Sequence, residues 1–535
     1  MFLTYSAEKI NHQGMKEFAP DLFLFVKGYI IWKHELYQDQ NFETLVISHL
    51  KAGSLFQNIP YYNGCFNIVI LYHAELIVIN DRWGIFPLFY YKNQDKIVIS
   101  DVWKHLIPYS GSKIRKDSTY ESLCFGYVLG EKTMIDKVFE FNPHSYYRIC
   151  FENQKMKLKT ISYWYLEHNF SGKSRSPEEF KELWESRMKI FADFIKRNHS
   201  GAYIPLTAGL DSRLLATELD KYDIPLYTMT WGNNYHNFEI QAAGEIASQL
   251  GNIRGHYLMY LNDSMFSRLR SFHLHGNRIT SLMFGQPFYY YQNLVKDECD
   301  TFFPGHSGGF MAGGHLKYRM KSWKNQEDVI RYIFRFKSSP LTNHLIGQNK
   351  EIRDILMQSV RETLPSNQDP ISTFIRWDLE QLQRRYIIRS SLSEPQELMK
   401  LYLPYYDYEL MDFFLNLPFK QLSNKNLKIE AITKNIYKDQ PYFRAVKNNG
   451  KKMTPVRNNF VYEYKYKLIS HIKQKMKMSS RNSEEYTRDI DWQGIFESLE
   501  FPKFIDKDLL RNKYLKQKLR HYYNLSSFIQ ELKSY

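Results

Sequence analysis

The chain has 535 residues, too many for one typical core, so two domains or more are expected. Hydrophobic residues make up 43%, charged residues 24% and aromatics 16%, which excludes disorder over most of the length. No apolar run approaches the roughly 18 residues a membrane helix needs: the nearest, Leu22 to Trp32, is short and carries Lys27. The opening MFLTYSAEKI lacks the basic-then-apolar pattern of a secretion signal, so a cytoplasmic protein without a transmembrane segment is expected. Cys65, Cys124, Cys150 and Cys299 show no CxxC spacing, which excludes a zinc ribbon and a disulfide scaffold and suits a reducing compartment. The net charge is +15, and 18 basic against 10 acidic residues from Lys451 onward place about half of that excess in the last sixth. Such a tail reads either as a surface for an anionic partner or as a solvated helical face.

In chain order, FLFVKGYIIW, CFNIVILY, ELIVIN, PLFYYK, KIVIS and SYYRICF are β-branched and aromatic runs of strand length, so the first 165 residues read mainly as strands. HNFSGKSRSPEEF then has no core periodicity and reads as a linker, its SPEE doubling as a helix start. From Phe180 the pattern changes to helix, strand (GAYIPL), turn (TAGLDS), helix (RLLATELDKY), strand (PLYTMTW) and helix (FEIQAAGEIASQLG, ending at Gly251). That alternation predicts a parallel sheet with helices on its faces. Beyond residue 320 the pattern is mostly helical. The expected organisation is a β-rich domain over 1–168, an α/β domain over 178–450 and a basic helical extension over 451–535.

The most informative segment is IPLTAGLDSRLL, Ile204 to Leu215. A strand ending at Leu206, a small-residue turn and a helix starting near Ser212 would aim backbone N–H groups and a positive helix end at one point, which suits a phosphate. Thr207 and Ser212 add hydroxyls, and Gly209 allows close approach. Bare phosphate repels Asp211, whose natural role there is to hold a bridging Mg²⁺. The alternative is that Asp211-Ser212 simply caps the helix.

TAGLDS, Thr207 to Ser212, resembles the SGGxDS pyrophosphate loop of ATP pyrophosphatases, and the surrounding sequence resembles the asparagine synthetase family, which includes β-lactam synthetase. NDRWGIFPLFYY (Asn80 to Tyr91) resembles RDxxGxxPLYY, and YTMTWG with FEIQAAGEIASQLGNIRGHY resembles the second strand and its helix. GHSGGFMAGGHL (Gly305 to Leu316) resembles GDGGDExFGGY, LPYYDYELMDFFLNLP (Leu403 to Pro418) resembles RxPFLDxxLxEFxxxLP, and NKNLKIEAI (Asn424 to Ile432) resembles KxxLREA. The resemblance implies an amidotransferase-like, Ntn-hydrolase-like β-sandwich domain, then a doubly wound parallel-sheet ATP-pyrophosphatase domain with a helical extension. It implies ATP and Mg²⁺ as cofactors. Leu206, Thr207, Ala208, Gly209, Leu210, Asp211 and Ser212 would hold the phosphates, Met229 and Thr230 would line the adenine pocket, Asp211 would bind the metal, and Lys425 and Asp211 would be catalytic.

The sequence departs from that pattern in two places. Phe2 stands where glutamine-hydrolysing members carry their cysteine nucleophile, and Cys65 lies in a strand pattern, so no glutaminase is expected. His306, Gly309 and Phe310 stand where the family has acidic residues, and Tyr402, Lys428 and Ile429 replace its Arg, Leu and Arg. His306 with His315, or His273 with His275, has a spacing that invites a metal, but the first reads more simply as an incidental surface pair and the second as strand-end structural histidines. The expected function is ATP-dependent amide formation: adenylation of a small-molecule, sugar-acid or peptide carboxylate, release of AMP and pyrophosphate, and transfer to ammonia or an amine. The alternative is an inactive relative acting as a binding or scaffold partner in a cell-surface polysaccharide or peptide-modification pathway. No specific nucleic-acid motif is present, a homo-oligomer is possible, and Tyr464 to Met478 reads as a basic amphipathic helix.

Overall fold

A computed structural model describes residues 1–232, 235–260, 297–365, 369–389, 399–437 and parts of 497–533. His273, His275 and the Tyr464 to Met478 helix lie outside the described residues. Two antiparallel sheets form the N-terminal part. The first has the order β10 (Val138–Glu140), β8 (Phe89–Lys92), β9 (Lys96–Ser100), β1 (Phe2–Ser6), β2 (Ile10–Gln13). The second has the order β12 (Lys155–Ser162), β11 (Ser145–Glu152), β7 (Glu75–Asn80), β6 (Asn63–Tyr72), β4 (Leu22–Trp32), β3 (Lys16–Ala19), with β5 (Glu35–Gln38) also on β4.

Alternation along the strands builds the layers, because successive side chains point to opposite faces. Leu3, Tyr5, Ile97 and Ile99 from the first sheet meet Val69, Leu71, Val78 and Ile149 from the second in one dry core, so the sheets pack face to face. The opposite face of the second sheet (Ile30, Phe66, Ile68, Ile77) is covered by Phe42 and Val46 of helix α1 (Asp39–Lys51). On the first sheet, Phe89 and Val98 pack toward Trp103, Leu106 and Leu123 of short helices and α2 (Lys116–Phe125). The sequence runs located the strands but not these helices, which are too short and too buried to show a polar face. Cys65 sits fully buried on β6, as its strand pattern implied.

Helix α3 (Pro177–Asn198) begins where SPEE predicts it: the Ser176 hydroxyl accepts from the Glu179 N–H and the Glu179 carboxylate accepts from the Ser176 N–H. The parallel sheet has the order β15 (Ile253–Tyr260), β14 (Leu226–Gly232), β13 (Ala202–Pro205), β16 (Thr301–Phe302), β17 (Lys400–Leu401). Helices α4 (Leu210–Lys221) and α5 (Phe238–Ala247) make the crossovers β13 to β14 and β14 to β15. α5 stops at Ala247, four residues before the expected Gly251. Strands β16 and β17 have two residues each, too short for any periodicity, and β17 turns part of a run that reads as helical into sheet.

The two parts meet over a polar, buried seam. Glu140 on β10 is surrounded by Arg384 and Arg385 from a π-helical segment, Asp378–Ile388, and by Arg389 directly after it. Burial alone would raise the Glu140 carboxyl, but the three guanidiniums overrule it and hold it down at about 2. A carboxyl held below its ordinary 4.5 contributes stability that is complete above that value and is lost as pH falls toward 2. Glu140→Ala leaves three buried cations without their anion. It is expected to lower stability by about 3–5 kcal/mol in urea denaturation and to flatten the acid limb of the pH profile. An unchanged midpoint would exclude this role.

Candidate active site

Strand order decides where a site can form. The sheet grows from β13 first to one side (β14, β15) and later to the other (β16, β17), so the chain diverges beyond the carboxyl ends of β13 and β16. Open parallel sheets leave a crevice at such a switch point. The loop after β13 is Leu206 to Gly209, the loop after β16 runs through Gly305 to Gly314, and the segment after β17 carries Tyr405. All three meet at Asp211.

The first loop is tied by its own polar groups. The Thr207 N–H donates to Ser212 Oγ (3.0 Å), the two hydroxyls of Thr207 and Ser212 lie 2.9 Å apart, and the Gly209 N–H donates to Thr207 Oγ1 (3.1 Å). Glu239 at the start of α5 accepts the Ala208 N–H at 2.8 Å, and Arg213 donates to the Ala208 carbonyl at 2.5 Å. Gly209 is the N-cap of α4 and no side chain caps it, so Asp211-Ser212 lies inside the first turn rather than at the cap position. Leu206, Ala208 and Leu210 point into the core. On the neighbouring strand Met229 packs with Tyr203, Tyr227 and Phe302, while Thr230 is fully buried.

The glycine loop lies directly on this turn. A methyl group at Gly305 would stand 2.8 Å from the Ser212 nitrogen, one at Gly308 would stand 2.9 Å from Asp211 Cγ and from the Tyr405 ring, and one at Gly309 would stand 3.3 Å from Asp211 Oδ2. Gly313 has φ +81° and faces the Leu422 carbonyl so closely that a Cβ would collide with it. Asn424 donates its N–H back to the Gly313 carbonyl (3.0 Å), and Lys317 bridges the Gly314 carbonyl (2.9 Å) and Asn424 Oδ1 (3.0 Å). Asn424 and Lys425 both adopt left-handed backbone, φ 57° and 63°, a conformation that disfavours residues with a Cβ and that here turns the chain into the helix Asn426–Ala431. We label α9 the helix Tyr408–Leu415 and α10 the helix Asn426–Ala431, after α6 (Gln326–Phe336), α7 (Lys350–Thr363) and α8 (Pro370–Trp377). The strained turn delivers the Lys425 ammonium beside Gly309, 3.5 Å from where a Cβ would be. Lys425 makes no hydrogen bond or ion pair among the described residues.

The structure thus gathers Thr207, Gly209, Asp211, Ser212 and Lys425, residues separated by more than two hundred positions. It also reveals a residue that the sequence pattern marks only as a departure. Lys428 is fully buried, and its ammonium donates to Asp211 Oδ1 at 2.6 Å and to the Gly308 carbonyl at 3.3 Å, over the face of Tyr405 at 4.3 Å. Burial pulls the Lys428 ammonium below its ordinary value, and the Asp211 carboxylate acts to keep it charged. Tyr405 in turn donates to the Asp211 carbonyl (2.8 Å) and stacks on Trp184 of α3 at 5.0 Å. The available signal was the i, i+3 spacing of Lys425 and Lys428, which puts both on one side of a helical turn.

In this arrangement Asp211, the residue expected to bind Mg²⁺, faces an ammonium. Mg²⁺ needs several oxygen ligands in near-octahedral geometry, whereas Asp211 already accepts an ammonium and no second carboxylate faces it among the described residues. Among the described residues no group of three or more His, Cys, Asp and Glu side chains forms a metal cluster. His306 is kept neutral by burial, its imidazole pushed down to about 4, and His315 stacks on Phe310 at 4.2 Å. The residues present do not fit a protein-held Mg²⁺. Gly308→Ala is expected to displace Asp211 or Tyr405 and to lower stability by about 1–3 kcal/mol. Gly251→Ala, where a methyl meets nothing, should stay within about 0.5 kcal/mol of the parent. Urea denaturation of both variants checks this.

Residues 203–439 match the family model for asparagine synthase, and residues 27–164 match that for a glutamine amidotransferase domain. No curated protein matches the chain. Among solved structures, glutamine phosphoribosylpyrophosphate amidotransferase from B. subtilis, complexed with ADP and GMP, is 11% identical over 46% of this chain and 73% of that one, with a TM-score of 0.21. A structure described as the allosteric regulatory enzyme of purine biosynthesis is 9% identical over 52% of this chain and 67% of that one, with a TM-score of 0.20. Likeness at that level assigns no activity. The two matched segments, an asparagine synthase domain preceded by a glutamine amidotransferase domain, are consistent with the asparagine synthetase family of ATP-dependent amide-forming ligases.

Proposed function

We propose that this chain activates a carboxylate with ATP and passes it to ammonia or an amine, without hydrolysing glutamine. The observation that carries the reading is the convergence, at the switch point of the parallel sheet, of the Thr207–Ser212 turn with an ammonium, Lys425, that has no partner among the described residues. ATP supplies the leaving pyrophosphate that makes the carboxylate reactive. Thr207, Gly209 and Ser212 would hold its phosphates, Gly308 and Gly309 let their loop lie directly on Asp211, and Lys425 would meet the negative charge that builds on the phosphates. Leu206, Ala208 and Leu210 would fix the turn from below, and Met229 and Thr230 would form the strand edge under the adenine. Mg²⁺ is the usual companion of ATP in this family, and here it would come with the nucleotide, since the Asp211 surroundings do not fit it.

The N-terminal domain supports the reading without glutaminase. Phe2 packs its ring edge-on against His105 at 5.7 Å and lies beside Tyr109, and Cys65 and Cys124 are buried. Burial pushes the Cys65 thiol up, away from the thiolate an amide attack requires. The amine acceptor would then be free ammonia or part of a second substrate, and the carboxylate a small molecule, sugar acid or peptide. No helix among the described residues is long and apolar enough to cross a membrane. A cytoplasmic setting rests on the free cysteines. The second reading, an inactive scaffold partner, is favoured by the ammonium seated on Asp211. Calorimetry with ATP separates the two: binding that weakens at least tenfold in Lys425→Ala, about 1.4 kcal/mol, supports the ligase, and no binding overturns it. With ATP bound, pyrophosphate release on a carboxylate panel is the expected activity, and glutamate release from glutamine is expected to be absent.

A further inference from the structure

We propose that the Lys428 ammonium takes the place of a divalent cation at Asp211, so that this chain meets nucleotide phosphates with two lysines and binds them without a protein-held metal. The inference rests on the ATP reading above. Asp211 Oδ1 is held by Lys428 at 2.6 Å, and its Oδ2 faces Gly309, which brings no ligand. Phe310 and the neutral His306 supply no charge from the same loop. Lys428 is locked from three sides, by Asp211, by the Gly308 carbonyl and by the Tyr405 ring. An ammonium so enclosed cannot swing away to admit a hydrated cation without leaving a buried charge unpaired.

Charge arithmetic favours the exchange. One Mg²⁺ held by two carboxylates adds no net charge to a phosphate site, and neither does one carboxylate paired with one ammonium. In both arrangements the positive charge left over for the phosphates is a further lysine, here Lys425, whose ammonium lies on the same glycine loop. Loss of an acidic ligand and gain of Lys428 together add two positive charges, which offset the two that would come with the metal.

Two measurements on the full chain test this. The first is calorimetric ATP affinity in EDTA and in millimolar Mg²⁺. The wild type is expected to differ by less than about threefold between them, and Lys428→Met to weaken binding in EDTA by about tenfold or more. ATP that binds only with Mg²⁺ overturns the inference while leaving the ligase reading intact. The second uses Mn²⁺ alone, read by electron paramagnetic resonance, and needs no nucleotide. The wild type is expected to show no Mn²⁺ site that disappears in Asp211→Asn, and such a site would overturn the inference. If ATP fails to bind in either condition the ligase reading falls, and the nucleotide part of this inference with it. Far-UV circular dichroism checks that Lys428→Met folds; if it does not, the two wild-type comparisons decide.

Discussion

A charge removed from water has to be paired, and in this chain that requirement is concentrated on Asp407. Its Oδ2 accepts from Arg187 Nε (2.9 Å) on α3 and from Asn63 Nδ2 (2.8 Å) on β6, and its Oδ1 accepts from the Glu409 and Leu410 N–H groups that open α9. Asn63 answers by accepting the Tyr408 N–H at 2.8 Å. One carboxylate therefore caps a helix, neutralises a buried guanidinium and binds the N-terminal part to the parallel-sheet part. Trp83, which donates to the Tyr406 carbonyl, and Tyr29, which accepts from the Leu403 N–H, extend the same docking surface. Tyr405 sits in the middle of this segment, so the residue that holds Asp211 and covers Lys428 is positioned by contacts that originate in the other domain.

That coupling gives the N-terminal domain a structural task independent of glutamine chemistry. Its two sheets supply a rigid wall against which Leu403 to Leu410 is fixed, and its Glu140 neutralises the arginines of the π-helical segment. π-helical turns are rare and widen the helix; here the segment and the residue directly after it place Arg384, Arg385 and Arg389 around a single carboxylate. The same segment also reaches the site, through Gln383, which accepts from the Ser307 hydroxyl at 2.8 Å.

The site itself is an exercise in balancing charge in a narrow space. Glycines at 305, 308, 309 and 313 bring two loops into backbone contact, which leaves no room for extra ligands but brings Asp211, Lys425 and Lys428 within a few ångströms. In low-dielectric surroundings these charges act on each other and on any bound phosphate more strongly than they would in water. The strained turn at Asn424 and Lys425 is held by the Gly313 carbonyl and Lys317, so conformational energy spent there is recovered in the placement of one ammonium.

The sequence by itself determined the local features: strand runs from alternating β-branched residues, the capping box at Ser176 and Glu179, the strand–turn–helix at 202–221, and the burial of Cys65. These depend on neighbours within a few positions, so their physics is written in short windows. It also singled out Asp211, Ser212 and Lys425 through the order of motifs, although not their separation in space. Only the tertiary structure decided what Asp211 faces. Lys428 lies 217 positions away from it, and whether a lysine on a short helix meets water or a carboxylate depends on where that helix docks. The two-residue strands β16 and β17 escaped for a related reason, since they exist only by pairing with β13 and with each other. A metal ligand, by type, thus became the partner of an ammonium, because long-range packing brought a cation to it.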